Sequence, residues 1–452
     1  MALAESAASR DTGPVTNDLT PGVPRIGWFF DGDPTTPDTS TLLQDSGEQI
    51  TLTVPWITNG APGHYARWFH GPGVQFGDDL DRSRYSYEVP EQLMFRDVYG
   101  TVVLVGCRSA GMRDQMFSGF GQGVVRAQFA VLGAKSMKYD TINGLRSQLP
   151  GLSEWVGISS IERNYRSDEH GRLKAVDLHL ESPMPVNLSR SMNLVLRPNY
   201  RVERSSATDT TEIRETVLVE TRVKAARSWL DHLSAHNAVR DLLDVAAWSP
   251  FGYSSQWVLR EDDPERDAAG GHRGDKWSSV RTYAVRSYEQ RARQRFLFEF
   301  DDIGSEGFRR WARLRRHFAR GLNALLSHFD HPRSALETGL IESSICFEAL
   351  GYQLALDGGL GKSAARNESY RERVQRVLDE VPVTLRFDTD VWVKESADAY
   401  NGVKHANRDL PDVDLMLSTL RKNWLVVRLW IAGKIGVSPS VLQANMHWWV
   451  EG

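Results

Sequence analysis

The period of the hydrophobic pattern changes once along this chain, near residue 300, and that change limits the fold more than any other feature. Before it, apolar residues come in short alternating or continuous runs; after it, they recur every three or four positions. Side chains alternate between faces in a strand and return to one face each turn in a helix. Strand-type runs followed by helix-type runs, without regular alternation of the two, predict an α+β fold rather than a doubly wound sheet.

The strand-type runs include Ile50-Thr-Leu-Thr-Val54, Thr101-Val-Val-Leu-Val-Gly-Cys107 and Val124-Val-Arg-Ala-Gln-Phe-Ala-Val-Leu132. Ala175-Val-Asp-Leu-His-Leu180, Met192-Asn-Leu-Val-Leu196 and Thr216-Val-Leu-Val-Glu220 continue the series, and Phe296-Leu-Phe-Glu-Phe300 reads as a last strand. Gly, Pro, Asn and Asp clusters separate the runs, as turns require. An antiparallel sandwich or barrel is the expected β-rich architecture. One amphipathic helix, 235–248, interrupts it and stops at Ser249-Pro250, where proline cannot continue a helix. Residues 261–271 read as a polar loop.

From Glu306 onward five antiparallel helices are expected, packed as a bundle. The first, 308–328, places Trp311, Leu314, Phe318, Leu322 and Leu325 on one face. The second starts at Ser334, with Glu337 completing a capping box, and runs to Leu356. The third starts near Asn367 with Val374 and Leu378, and the fourth spans 388–404. The fifth follows Pro411 with Val413, Leu417, Leu420, Trp424 and Val427. The expected domains are a disordered tail (1–23), a β-rich domain (24–300) and a helical bundle (301–452).

Net charge is −4 with a pI near 6.3, so nucleic-acid binding would need a local patch. Cys107 and Cys346 lie far apart in sequence, which argues against a disulfide framework and a cysteine-based zinc site, and suits a reducing cytosol. No signal peptide is visible at the start, and the apolar run 424–433 is short and interrupted by Arg428. A cytoplasmic chain with no membrane partner, no cofactor and no metal is expected.

The segment most suggestive of chemistry is Asp398-Ala-Tyr-Asn-Gly-Val-Lys-His-Ala-Asn-Arg408. On a continuing helix Asn401, His405 and Arg408 share one face, and an amide, an imidazole and a cation together suit a phosphodiester. The bland alternative is a structural His at a helix end. Arg309, Arg313, Arg316 and Arg320 form a stripe opposite the apolar face of the first bundle helix. It is either a solvated face or a track for RNA phosphates, which guanidinium groups grip bidentately.

Other motifs are weaker. Gly358-Gly-Leu-Gly-Lys-Ser363 lacks the first glycine and preceding strand of a P-loop. Gly119-Phe-Gly-Gln-Gly123 precedes a strand, not a helix, and reads as a turn. Asp78-Asp-Leu-Asp81 lacks a matching cation loop. His232 and His236 lack a protease glutamate between them and read as helix surface. Trp155 and Trp257 read as packing residues rather than sugar platforms.

The bundle with its late polar-x-x-x-His pattern at Asn401 and His405 resembles a HEPN domain. Gly27-Trp-Phe-Phe30, the Ile50 strand, Val102-Val-Leu-Val105 and Val131-Leu-Gly133 leading to Leu152-Ser-Glu-Trp155 resemble an ApeA-type N-terminal domain. So does the junction 300–311, and together the resemblance covers nearly the whole chain after the tail. It implies a bacterial anti-phage, abortive-infection protein whose HEPN domain is a dimeric, metal-independent endoribonuclease. ApeA-like proteins are implicated in cutting tRNA, and the N-terminal domain would sense infection or restrain the nuclease.

The family pattern places arginine five residues before the histidine, where this chain has Tyr400. Either Lys404 or Arg408 supplies the missing charge, or the site is inactive. The leading expectation is RNA cleavage by 2′-hydroxyl attack, with His405 as acid or base and Asn401 orienting the phosphate or the imidazole. The alternatives are a non-catalytic HEPN-fold protein that recognises a phage component, and a carbohydrate-binding β module with a helical appendage. A homodimer through the bundle is the expected assembly, with a phage protein as trigger.

Overall fold

The computed structural model describes residues 16–449 except 33–38, 58–63, 71–86, 116–118, 206–207, 288–293 and 332–333. The carboxylates of 78–81 and residues 1–15 of the expected tail lie outside the described residues. Two compact units divide the chain. The first takes residues 1–145, 223–231 and 255–285, and the second residues 146–222, 232–254 and 286–452.

In chain order β1 (Arg25–Phe30), β2 (Ser40–Asp45) and β3 (Ile50–Ile57) precede a short helix, α1 (Arg67–His70). Next come β4 (Gln92–Asp97), β5 (Gly100–Val105), β6 (Arg108–Gln115), β7 (Phe120–Ala127), β8 (Phe129–Leu132) and β9 (Thr141–Gln148). After α2 (Leu152–Val156) follow β10 (Ile161–Ser167), β11 (Leu173–Leu180), β12 (Val186–Ser189), β13 (Leu194–Ser205) and β14 (Thr210–Ser228). Helix α3 (Trp229–Ala247) leads to β15 (Ser255–Leu259), β16 (Glu265–Arg266), β17 (His272–Gly274) and β18 (Trp277–Thr282). The chain then turns helical: α4 (Gly304–His317), α5 (Ala319–Asp330), α6 (Leu336–Asp357) and α7 (Lys362–Asn367). It continues with α8 (Tyr370–Leu378), α9 (Thr389–Lys404), α10 (Val413–Ile435) and α11 (Pro439–Asn445). A large antiparallel β region over residues 25–282 is therefore followed by a helical region, as the change of period predicts.

In the first unit the strand order is β15-β18-β8-β5-β4-β1-β2-β3-β7-β6. Alternation decides the inner face: Phe29, Leu43, Leu52, Val54, Phe95, Val102, Leu104 and Val125 form one buried core. Leu19 joins that core, and Asn17 donates its amide to the Thr101 carbonyl at 2.9 Å. Residues 16–23 were expected in the disordered tail; one buried leucine and one satisfied amide tie this part down. Gly121 and Gly123, expected in a turn, lie inside β7. A Cβ at either position would run into the ring of Trp56 or Phe69, so the glycines admit that stacked pair.

In the second unit β10 pairs with β11, and β13 pairs antiparallel with both β12 and β14. The helices share this unit with α2 and with α3 from His232 onward. Long-range donors explain it. Trp311 Nε1 donates to the Ala238 carbonyl at 2.8 Å, and Trp155 Nε1 to Phe298 at 2.9 Å. The buried Arg428 of α10 donates to the carbonyls of Val245 and Ala246 at 2.9 and 3.1 Å, capping the C-terminal end of α3. Burial pushes its guanidinium down to about 9, which leaves it charged at neutral pH.

Several helix and strand expectations need correction. Residues 308–328 form two helices, because Phe318 leaves helical geometry at φ −101° and ψ 28°. The expected strand 296–300 is absent: Leu297 and Phe298 are buried, and a 3-10 turn begins at Phe300. The capping box at Ser334 and Glu337 does not form, since α6 starts after Ala335 without a side-chain cap. Ser369 and Glu372 form one instead, at the start of α8. Residues 265–274 include the β16–β17 hairpin rather than loop alone. His232 and His236 are fully buried, not on the helix surface. Thr221 Oγ1 lies 2.7 Å from His232 Nδ1 and 3.0 Å from His236 Nε2, and Ser147 Oγ lies 2.8 Å from His236 Nδ1. Among the described residues no helix is long and apolar enough to cross a membrane.

Candidate functional site

The suggestive segment lies at the end of α9. Asp388 caps the start of that helix by accepting the Val391 N–H at 3.0 Å. Trp392, Val393, Ser396, Ala397, Ala399 and Tyr400 form its buried face. The helix stops at Lys404, and His405 is extended at φ −120° and ψ 111°. Asn401, His405 and Arg408 therefore do not share a continuing helical face. Their backbones remain linked: His405 N–H donates to the Asn401 carbonyl at 3.0 Å, and Arg408 N–H to the His405 carbonyl at 2.9 Å. Asn401, Lys404, His405 and Arg408 are all exposed, whereas Tyr400 is buried.

Gly402 explains the sharp stop. A Cβ there would meet the Asp409 carbonyl oxygen at 2.8 Å and Pro411 Cδ at 3.1 Å. Only a bare Cα lets the chain after His405 fold back against the last turn of α9.

The hydroxyl of Tyr400 sits between two charged groups. It donates to Glu348 Oε2 of α6 at 3.4 Å and accepts from Lys404 Nζ at 3.2 Å. The Lys404 ammonium also lies 4.8 Å from the Tyr400 ring centroid. The hydrogen bond to Tyr400 raises the Lys404 pKa above its ordinary range. Tyr370 of α8 stands behind Tyr400, with ring centroids 5.0 Å apart, and its hydroxyl is 2.9 Å from Ser396 Oγ. Burial raises the Tyr370 pKa, so its phenol stays protonated.

The arginine stripe is split by the break at Phe318. Arg309 and Arg313 of α4 each lie 3.1 Å from Glu306, an exposed arrangement that holds both on the helix surface. Arg316 Nε donates to its own helix at Ala312. Arg320 belongs to α5 and lines a different surface, a cleft that also holds Arg366, Arg373 and Glu348. Sequence reasoning missed Glu348 and Arg373, which reach this region from α6 and α8. Gly351 in mid-α6 was the available signal. A Cβ there would meet Arg373 backbone and Cβ atoms at 2.5–2.6 Å, so the glycine marks where α8 closes on α6.

Residues 26–311 match the family described as ApeA N-terminal domain 1. No curated protein and no solved structure matches the chain. The matched region spans more than half of the sequence, from β1 into α4. The chain belongs to the ApeA N-terminal domain 1 family.

Proposed function

We propose that this protein is an anti-phage defence factor whose helical region is a HEPN-type endoribonuclease, active on RNA such as tRNA and controlled by the ApeA domain. The ApeA domain supports the defence role. The observation that carries the nuclease reading is the end of α9, where Lys404 is fixed on Tyr400 beside an exposed His405 and an exposed Asn401.

In this mechanism the ribose 2′-hydroxyl attacks its neighbouring phosphorus and loses its proton to an imidazole. The bond from phosphorus to the 5′-oxygen breaks, and that oxygen takes a proton from an imidazolium. The products are a 2′,3′-cyclic phosphate and a 5′-hydroxyl. Lys404 offsets charge on the phosphoryl oxygens, and Asn401 orients the phosphate or the imidazole. The nucleophile belongs to the substrate, so the step draws on no metal. One His405 serves poorly as both base and acid, and a two-fold homodimer through the helical region supplies the second. We place the active protein in the cytoplasm, with a phage component as trigger.

A second reading has its own support. Tyr400 occupies the position where the HEPN pattern has arginine, and it is buried with its hydroxyl engaged. On that reading the helical region binds a phage component without cutting RNA. Incubating the purified protein and its His405→Ala variant with total bacterial RNA, with and without chelator, separates the two. Cleavage by the parent alone supports the nuclease; intact RNA in every lane supports the binding protein.

A further inference from the structure

Helices α5, α6, α7 and α8 enclose a cleft of about 500 Å³. Two close helix approaches shape it. A Cβ on Gly321 would meet Leu350 at 2.9 Å and the Cys346 carbonyl oxygen at 3.2 Å, so α5 packs tightly on α6. Gly351 lets α8 do the same. Three arginines, Arg320, Arg366 and Arg373, line the cleft together with one acidic residue, Glu348.

Arg373 is anchored. It donates to the carbonyls of Ala365 and Arg366 at 3.3 and 3.1 Å, and its guanidinium carbon lies 5.9 Å from the Tyr352 ring centroid. Its Nη1 stands 3.9 Å from Glu348 Oε1. Arg320 and Arg366 differ: both are exposed, and neither side chain forms an ion pair or hydrogen bond with a described residue. Their charge is uncommitted, whereas Arg309 and Arg313 are held by Glu306.

We propose that this cleft is a subsite for one nucleotide of a single-stranded RNA, its backbone phosphate held by Arg320, Arg366 and Arg373. The inference rests on the RNA-cutting reading for the identity of the ligand. The volume suits one nucleotide and not a duplex. Tyr352 and Phe318 supply aromatic lining for a base, and paired guanidinium groups suit a phosphate. Glu348 joins the subsite to the end of α9, because its other oxygen accepts from Tyr400. A phosphate beside Arg373 competes with Glu348 for that guanidinium and leaves the carboxylate to Tyr400.

The test is fluorescence anisotropy with a short labelled 2′-O-methyl RNA, which binds without being cut, over roughly 50 to 200 mM salt. Arg320→Gln and Arg366→Gln should each weaken binding and lower the log–log salt slope by about 0.7, the loss of one single-strand phosphate contact. Arg309→Gln should leave the slope unchanged. Slopes untouched by both cleft variants, or lowered equally by all three, overturn the subsite. A wild type that cuts RNA while its binding ignores the cleft variants overturns the subsite alone. A wild type that binds no RNA overturns the nuclease reading with it.

Discussion

Lys404 Nζ stands 3.2 Å from the Tyr400 hydroxyl, one helical turn along α9, so the cation is fixed by its own helix. Its partner in turn reaches Glu348 of α6. If Lys404 replaces the arginine of the HEPN pattern, Lys404→Met should cut kcat by about 10²–10³-fold, the scale of losing one oxyanion donor. Arg408→Met should change little, because Arg408 lies beyond the helix end with no such anchor. Single-turnover cleavage of a labelled RNA measures both. Tyr400→Arg is the complementary variant. An inactive wild type that gains activity on this change would establish the binding-protein reading.

A composite site requires two copies. Light scattering should return twice the chain mass. Mixing His405→Ala with excess wild-type subunits should yield heterodimers of reduced activity rather than the wild-type rate. A monomer that cleaves at full rate would exclude the two-fold arrangement.

Gly402 admits the returning chain at Asp409 and Pro411. Gly402→Ala forces that chain outward, and overpacking of this kind costs ~1–3 kcal/mol, readable as a lower urea midpoint. Cleavage should fall in step, since His405 lies in the displaced segment. Full activity with a normal midpoint would show that the loop's position is irrelevant.

His328 stacks on Trp248 and lies tilted against Trp424, with ring centroids 5.4 and 5.5 Å away, and its Nδ1 is buried without a partner. Burial lowers its pKa below the ordinary imidazole value of about 6.5. The sign follows from proton uptake: on acidification through about pH 6.5 the unfolded chain gains a proton that the folded imidazole resists. The stability contribution is present above that pH and is lost as pH falls through the folded-state pKa. His328→Phe keeps the ring and removes the titration. The melting temperature of the variant should therefore decline less than that of the parent between about pH 7 and pH 5.

The strands at Ile50, Thr101 and Val124 were legible because burial there follows the local pattern. Phe296-Leu-Phe-Glu-Phe300 misled because alternation fits a strand, while tertiary bonding decided otherwise: Trp155 takes the Phe298 carbonyl. The break at Phe318 carries no Gly or Pro signal, so the arginine stripe looked continuous. At the candidate site the expected helix end at residue 404 is the observed one, and Gly402 lets the chain fold back there. Glu348 and Arg373 were invisible because their pairing depends on how α6 meets α8, which no local window contains.

The Arg428 contacts join residues separated by 182 and 183 positions. At a synthesis rate of about 5–20 residues per second, α3 leaves the ribosome roughly 10–40 seconds before its capping guanidinium exists. The last turn of α3 must wait that long for this donor. A chain that stalls or is clipped before Arg428 never obtains it. Completion of the second unit therefore reports that translation has passed Arg428.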